Sequence, residues 1–192
     1  MRRKEKPVLQ YHSVTARIET ERSGHDLAFN FNSIAPLILL SDLKTNRRSA
    51  FRNPEEPSGH EPGKPERSVL IIPDSVLAIG TDRAEIIFSE EILTGMRGER
   101  SKLGFTFAHP DTVYWFRGGL INTLLVLEEG VSHTSVYNTP FGTVEHQVRA
   151  SRVRNDLLGS GEIEAEYACS LHGRQVESCR MRLSVRPTAE NT

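Results

Sequence analysis

Apolar and polar residues alternate with a period of two along much of the chain, the pattern of half-buried β-strands. In residues 13–21, Val14, Ala16 and Ile18 share one face and polar side chains occupy the other. From residue 68 onward the pattern is nearly continuous and predicts further strands over residues 69–72, 76–79, 84–88, 102–107, 112–117, 121–128, 131–137, 143–153, 162–171 and 175–185. Amphipathic helices long enough for the crossovers of a parallel sheet are absent from this pattern, so the strands are expected to be antiparallel.

The last two predicted strands can be aligned with each other. If their turn is centred on Gly173, Glu166 lies opposite Arg180 and Glu164 lies opposite Arg182 on the outer face. Directly opposed opposite charges stabilise a strand pair, and a slip of one residue would turn both arginines inward. The pattern therefore predicts this register for the final hairpin.

The same register places both cysteines on the inner face. Cys179 lies opposite Tyr167, and Glu177 lies opposite Cys169, where a bulge near the turn would accommodate the carboxylate. The two cysteines are then diagonal neighbours, a spacing that is marginal for a disulfide. We expect two free, mostly buried thiols.

Residues 137–142, Tyr-Asn-Thr-Pro-Phe-Gly, form a turn signature between two of the alternating runs. Proline presets one backbone angle and glycine permits positive ones, so the pair marks a chain reversal. Roughly eight to ten short strands, with turns roughly every 8–12 residues, indicate a sandwich or barrel. Short sequential connections favour an up-and-down barrel, which leaves no exposed edge.

One stretch near the N-terminus departs from the strand pattern. Residues 45–67 carry four prolines and a single large apolar residue, Phe51, so we expect disorder. Residues 27–31 suit a short strand, and residues 34–43 suit a short helix or an apolar patch docked on the barrel. The sequence thus predicts one domain over residues 1–192, with an inserted flexible segment at 34–67 and a flexible tail at 186–192. The insertion is interpreted as a solvated spacer or as a recognition segment.

The composition of the chain indicates which classes of partner to expect. The net charge is −1 and the pI is near 6.7, so the strongly basic face typical of nucleic-acid-binding proteins is not expected. The hydrophobic content of 37% is low, and no run of apolar residues is long enough to span a bilayer. A basic N-terminus without a following apolar segment does not resemble a secretory signal. We expect a cytoplasmic protein, monomeric or homodimeric, without a membrane or nucleic-acid partner.

Several turn and strand motifs occur in a characteristic order. They are Arg117-Gly118-Gly119, Glu128-Glu129-Gly130, the turn at residues 137–142, and Leu171-His172-Gly173. In this order the chain resembles the YwiB-like family of bacterial β-barrel proteins, which are similar to calycins, the lipocalin-type barrels. The resemblance covers residues 76–185 and implies a closed barrel of about eight strands. It implies no activity and no catalytic residues.

The sequence contains no recognised motif for catalysis or cofactor binding. The histidines form no short chelating motif, neither cysteine belongs to a C-x-x-C, and no phosphate-binding glycine loop or G-x-S-x-G elbow occurs. His133 and His146 could join a carboxylate in a metal site, but surface or turn positions are the simpler interpretation of the histidines. We therefore expect no metal, no cofactor and no catalytic residues.

The aromatic residues offer the best candidate site. Trp115 is predicted to face opposite to its neighbours, and it could line a pocket with Arg117, Tyr137 and Tyr167. Aromatic side chains with one charged group suit a small apolar or amphipathic ligand, although a plain core contains the same residues. Three hypotheses follow: a binding module for such a ligand, a filled barrel that contacts a protein through residues 34–66 or its outer face, and an enzyme using Glu177 and a histidine.

Overall fold

The computed structural model describes residues 10–24, 65–89, 100–118, 122–139 and 142–188. These ranges form ten β-strands: β1 (Gln10–Gly24), β2 (Glu66–Ile79), β3 (Arg83–Ser89), β4 (Arg100–Thr106), β5 (His109–Gly118), β6 (Thr123–Glu128), β7 (Ser132–Thr139), β8 (Gly142–Asp156), β9 (Glu162–Leu171) and β10 (Arg174–Pro187). Consecutive strands pair antiparallel except β6 and β7, and β1 also pairs with β10. The predicted all-β, up-and-down architecture is confirmed, with ten strands where the resemblance implied about eight.

The ring closes between β6 and β7, the two ends of the hydrogen-bonded strand order. In the described part of the chain one backbone bridge joins them: Asn122 N donates to Asn138 O (3.1 Å), and Asn138 N donates to Asn122 O (3.0 Å). Farther along the gap, Gly130 N donates to Ala150 O of β8 at 2.9 Å. The barrel is therefore nearly closed, with a seam between β6 and β7.

Strand β2 is longer than the sequence predicted. Pro73 and Asp74 were expected to end a strand, but β2 continues through them with a register shift opposite Val14 and Ala16. Asp74 has a φ of 56°, which is tolerated because aspartate is among the residues that adopt left-handed backbone most readily. The Pro-Asp pair thus produces a bulge and not a chain reversal.

The inserted segment and the tail are described only in part. The predicted short strand at 27–31, the ambiguous stretch at 34–43 and most of the segment at 34–67 lie outside the described residues. At the edges of the two predicted flexible segments, Glu66 and Arg67 belong to β2, and Arg186 and Pro187 belong to β10. Thr188 N also donates to Ser13 O, so the described end of the chain is tied to β1.

The predicted register of the last hairpin is confirmed. Glu166 pairs with Arg180 and Glu164 with Arg182, and the register shifts between Gln175 and Glu177, where a bulge was expected. The outer charges contact each other, with Arg180 Nε 3.1 Å from Glu166 Oε1. Both cysteines are free and buried, as the diagonal spacing predicted.

The interior of the barrel is filled from alternate positions of all ten strands. Its largest fully buried apolar side chains are Ile72, Ile86, Phe88, Leu103, Val113, Leu125, Leu127, Ile163, Met181 and Leu183. Trp115 and Tyr167 belong to the same apolar cluster. None of the described residues forms a helix that is long and apolar enough to cross a membrane.

Candidate functional site: the polar end of the barrel

Polar side chains are buried inside one end of the barrel, here called the polar end. It is the end at which β1, β3, β5, β7 and β9 finish and the other five strands begin. Every second side chain along a strand points inward, and near this end many inward positions carry charge, hydroxyl, imidazole or thiol groups, although Phe88 of β3 is apolar. The residues that carry these groups are Thr20, Arg22, Ser101, Arg117, Thr123, Ser135, His146, Cys169, Glu177 and Cys179.

Arg117 lies near the end of β5 and is only 5% exposed. It follows Val113 and Trp115 on the inward face, whereas Phe116 points outward and is 38% exposed. The register places Ser101 of β4 on one side of Arg117 and Thr123 of β6 on the other. Both flanking residues carry buried hydroxyl groups.

Hydrogen bonds link the hydroxyl groups to their neighbours. The indole nitrogen of Trp115 donates to Ser101 Oγ at 3.4 Å, and the hydroxyls of Thr123 and Ser135 lie 3.3 Å apart. Ser135 Oγ also donates to the backbone oxygen of Leu124 at 2.7 Å. This last bond crosses from β7 to β6, so a side chain helps to close the seam.

His146 lies opposite Ser135 on β8 and is 1% exposed. Burial lowers the pKa of His146 to about 4, from an ordinary value of 6.5. The cause is the cost of moving the charged imidazolium out of water. The side chain is therefore neutral at pH 7, and it adds hydrogen-bonding capacity to the polar end but no charge.

A buried ion pair lies on the other side of the polar end. Arg22 Nε of β1 is 3.6 Å from Glu177 Oε1 of β10, and the two side chains are 11% and 9% exposed. Arg22 pairs with Cys179 in register, and Glu177 pairs with Cys169. A buried pair at this distance largely neutralises its own charge.

Both thiols next to this pair are unreactive. Burial raises the pKa of the Cys169 thiol, and the negative charge of Glu177 raises it further. Burial also raises the pKa of Cys179, although contacts with Tyr167 and Arg22 offset part of that effect. Because the thiolate is the nucleophile, these cysteines pack as small apolar groups.

The predicted site residues have different positions relative to the polar end. Arg117 belongs to it, while Trp115 and Tyr167 lie inward beside it, at the border with the apolar core. Tyr137 is a residue of β7, and its side chain lies outside the described part of the structure. Glu177, the acid–base candidate of the enzyme hypothesis, is the partner of Arg22.

Sequence reasoning missed most residues of this site, among them His146 and Arg22. His146 was interpreted as a surface or turn residue, yet it shares the inward face of β8 with Val148 and Ala150. Arg22 lies one residue beyond the predicted end of the first strand, which in fact continues to Gly24. The alternation of β8 was the signal that could have identified His146 as inward. Among the described residues, no group of three or more His, Cys, Asp or Glu side chains could hold a metal ion.

Surface grooves occur on the barrel, and one of about 580 Å³ is lined by Tyr167 and Cys179 among other residues. Two others include neither of these residues. One of about 570 Å³ is lined by charged residues of the outer wall, among them Glu164, Glu166 and Arg182. Another of about 940 Å³ lies at the opposite end of the barrel, beside Tyr11 and Leu158. Neither groove is lined by Trp115 or Arg117.

Comparison with known proteins supports the fold. Residues 70–183 match a family described as a domain of unknown function, DUF1934. The crystal structure of the YwiB protein from Bacillus subtilis aligns with a TM-score of 0.52, covering 91% of this chain and 92% of that chain at 11% identity. At that identity the likeness shows the fold alone. No curated protein matches the chain.

Proposed function

Because this chain belongs to the DUF1934 family, whose description assigns no activity, we propose a function from geometry: a barrel that binds a small amphipathic molecule at its polar end. The observation that carries the proposal is the segregation of the interior into an apolar end and a polar end. Replacing a buried ion pair by well-packed apolar residues is often neutral or stabilising. A barrel built for stability alone has no need of buried Arg22, Arg117, His146 and Glu177 at the same end.

The size of the barrel supports the same proposal. An eight-stranded barrel is either filled by side chains or holds one small ligand, and diameter grows with strand number. Ten strands give this ring a larger diameter than eight strands would. Trp115 and Tyr167 border the polar end and would contact the apolar part of a ligand, while Arg117 would contact its polar part. Tyr137 stays a predicted fourth contact.

The composition of the polar end favours an amphipathic ligand over a wholly apolar one. A wholly apolar molecule would offer no hydrogen bonds to the buried polar groups at this end. Free, buried thiols suit the reducing cytoplasm, which remains the proposed location.

Native mass spectrometry of the purified protein, repeated after denaturation, tests the proposal. We expect a reproducible mass excess that disappears on unfolding. Two variants of neighbouring residues provide a matched control: Leu125→Phe adds volume inside the barrel, whereas Leu124→Phe adds the same volume on the outer wall, where Leu124 is 47% exposed. The inner variant should lower the bound fraction, and the outer variant should leave it unchanged.

A second candidate is an interaction barrel with a filled core. It is favoured by the placement of Trp115 and Tyr167 within the apolar cluster, where they pack as ordinary core residues. A bare protein mass, together with no saturable binding of an amphipathic fluorescent dye to the folded protein, would contradict the first proposal and support this one.

A further inference from the structure

Beyond the binding of a ligand inside the barrel, we propose that two copies of this protein associate through the outer wall at the β6–β7 seam. The contact surface is a row of outward side chains, here called the seam row: Lys102, Phe116, Leu124, Val136 and Glu145. The second copy contacts this row with its own seam row in reversed order. The inference concerns the outer wall and does not depend on what the interior binds.

The seam row crosses the ring from β4 to β8. On one side of the seam, the register of β4, β5 and β6 aligns Lys102, Phe116 and Leu124. On the other side, Val136 of β7 pairs with Glu145 of β8. Lys102, Phe116 and Leu124 each lie between two buried residues, so their side chains point outward. Val136 and Glu145 are exposed and each follows or precedes a buried residue, which gives them the same direction.

Leu124 and Val136 are neighbours across the seam. The bridge between Asn122 and Asn138 is antiparallel, and its register, continued by two residues, places Leu124 beside Val136. The hydrogen bond from Ser135 Oγ to the backbone oxygen of Leu124, 2.7 Å long, joins the two strands at the same point. The two halves of the seam row therefore form one continuous row.

The middle of the seam row is apolar. Phe116, Leu124 and Val136 are between 37% and 47% exposed. Single exposed apolar residues are ordinary, whereas a contiguous group of them marks a contact surface. The next outward positions along the same three strands are uncharged: Gly118, Asn122 and Asn138 toward the polar end, and Tyr114, Val126 and Thr134 toward the apolar end. A centre without charge and a polar rim are the composition of a protein–protein interface.

The two charges of the seam row lie at its ends and have opposite signs. Elsewhere on the outer wall, opposite charges are direct neighbours, as in the register pairs of Glu21 with Arg180 and of Arg180 with Glu166. Those charges offset each other within one copy. Lys102 and Glu145 are separated by three apolar residues and by four strand spacings of roughly 4.8 Å each. A second copy is needed to bring these two charges together.

The order of the seam row is complementary to itself. A two-fold axis that lies in the contact plane and runs along β6 at Leu124 reverses the row in the second copy. Leu124 then contacts Leu124 of the second copy, Phe116 contacts Val136, and Lys102 contacts Glu145. The charged side chains at the ends are also long, which suits the wider gap where two curved walls diverge. Opposite charges thus face each other at both ends of the contact and favour this register over others.

Sedimentation velocity over a dilution series tests the association. We expect a dimer that dissociates on dilution, because two convex walls bury less area than a permanent interface does. Leu124→Glu places a charge at the centre of the contact and should weaken the association by at least about tenfold. Ile71→Glu is the matched control, since Ile71 is 58% exposed on β2, outside the seam row. It should leave the association unchanged.

Charge reversal tests the contact between Lys102 and Glu145. Lys102→Glu and Glu145→Lys each place like charges opposite each other at both ends of a dimer, so each variant alone should associate more weakly. In an equimolar mixture, a heterodimer joins opposite charges at both ends again and should regain the association of the unaltered protein. Lys102 Nζ lies 4.0 Å from Glu85 Oε2, so thermal unfolding checks that Lys102→Glu is folded. The comparison of Leu124→Glu with Ile71→Glu remains decisive if it is not.

Three results would overturn the proposal. The first is a protein that stays monomeric at its highest soluble concentration. The second is a dimer that Ile71→Glu disrupts and Leu124→Glu does not, because the contact would then lie at β2. The third is a mixture of the two folded charge variants that associates no more strongly than either variant alone, since the reversed order of the row requires the recovery.

Discussion

The two ends of the barrel interior are built from the same strands but by different rules. On β5 the inward residues run from Val113 through Trp115 to Arg117, and on β6 from Leu127 through Leu125 to Thr123. On both strands the inward side chains change from apolar to polar toward the same end of the barrel. Alternation along a strand therefore determines whether a side chain points inward. The position along the strand determines whether that inward side chain is apolar or polar.

One turn at the apolar end is part of the packed core. The β8–β9 turn contributes the buried side chain of Leu157 to that core. Gly161 in that turn has a φ of 79° and accepts a hydrogen bond from Val185 N at 2.9 Å. Turn and core therefore stabilise each other at this end.

Removing one charge from the polar end should have the largest effect on stability. Arg22→Met would leave the Glu177 carboxylate buried without its cation and should cost about 3–5 kcal/mol of unfolding free energy. Urea unfolding followed by circular dichroism measures the loss. The double variant Arg22→Met/Glu177→Leu should recover most of it, since a matched apolar pair replaces the ion pair. A double variant as unstable as Arg22→Met would contradict this prediction. It would mean that the ion pair contributes to stability, as the packed side chains of the apolar end do.

Truncation at the apolar end should have the next largest effect. Leu127 is fully buried, so Leu127→Ala should lower the unfolding free energy by about 2–5 kcal/mol through lost burial and the cavity left behind. Leu158→Ala removes the same atoms from an exposed turn at that end and should change stability by less than about 0.5 kcal/mol. Equal effects of the two substitutions would contradict the packing described for this end.

The third predicted effect is a pH dependence of stability that originates in His146 at the polar end. His146 has a pKa lowered to about 4 in the fold, against 6.5 when unfolded. Below pH 6.5 the unfolded chain binds a proton that the folded protein does not, so stability falls as pH drops from 6.5 toward 4. The loss approaches about 3 kcal/mol at pH 4 and is absent above pH 6.5. In His146→Gln this part of the pH dependence should vanish, and identical profiles for both proteins would show that His146 is not buried as described.

The sequence was sufficient for the local parts of this structure. The register of β9 and β10 was predicted because Glu164, Glu166, Arg180 and Arg182 lie within one hairpin, and only one alignment pairs their charges. The inward direction of Trp115 and Arg117 followed from alternation alone. These features depend on neighbours along the chain, which a single sequence shows directly.

The composition of the polar end could not be predicted in the same way. Arg22, Ser101, Arg117 and His146 come from four strands that are far apart in sequence. Their common depth depends on the register of all ten strands and on where the ring closes. The number of strands could not be predicted from local sequence either, because Pro73 and Asp74 interrupt the alternation within β2 without ending the strand.

The joints of the ring, meaning the contacts between neighbouring strands, differ in the number of paired residues. Their positions along the chain have a topological consequence. The joint between β1 and β10, near the described ends of the chain, has eleven register pairs, whereas among the described residues the β6–β7 seam in mid-sequence has one backbone bridge, between Asn122 and Asn138. The described ends of the chain and the weakest described joint are therefore in different places. A circularly permuted chain, linked near Ser13 and Thr188 and cut in the β6–β7 turn, would retain every extended ladder and bring the two together. The new chain termini would then lie at the two strands of the seam, so the barrel could open there into a sheet.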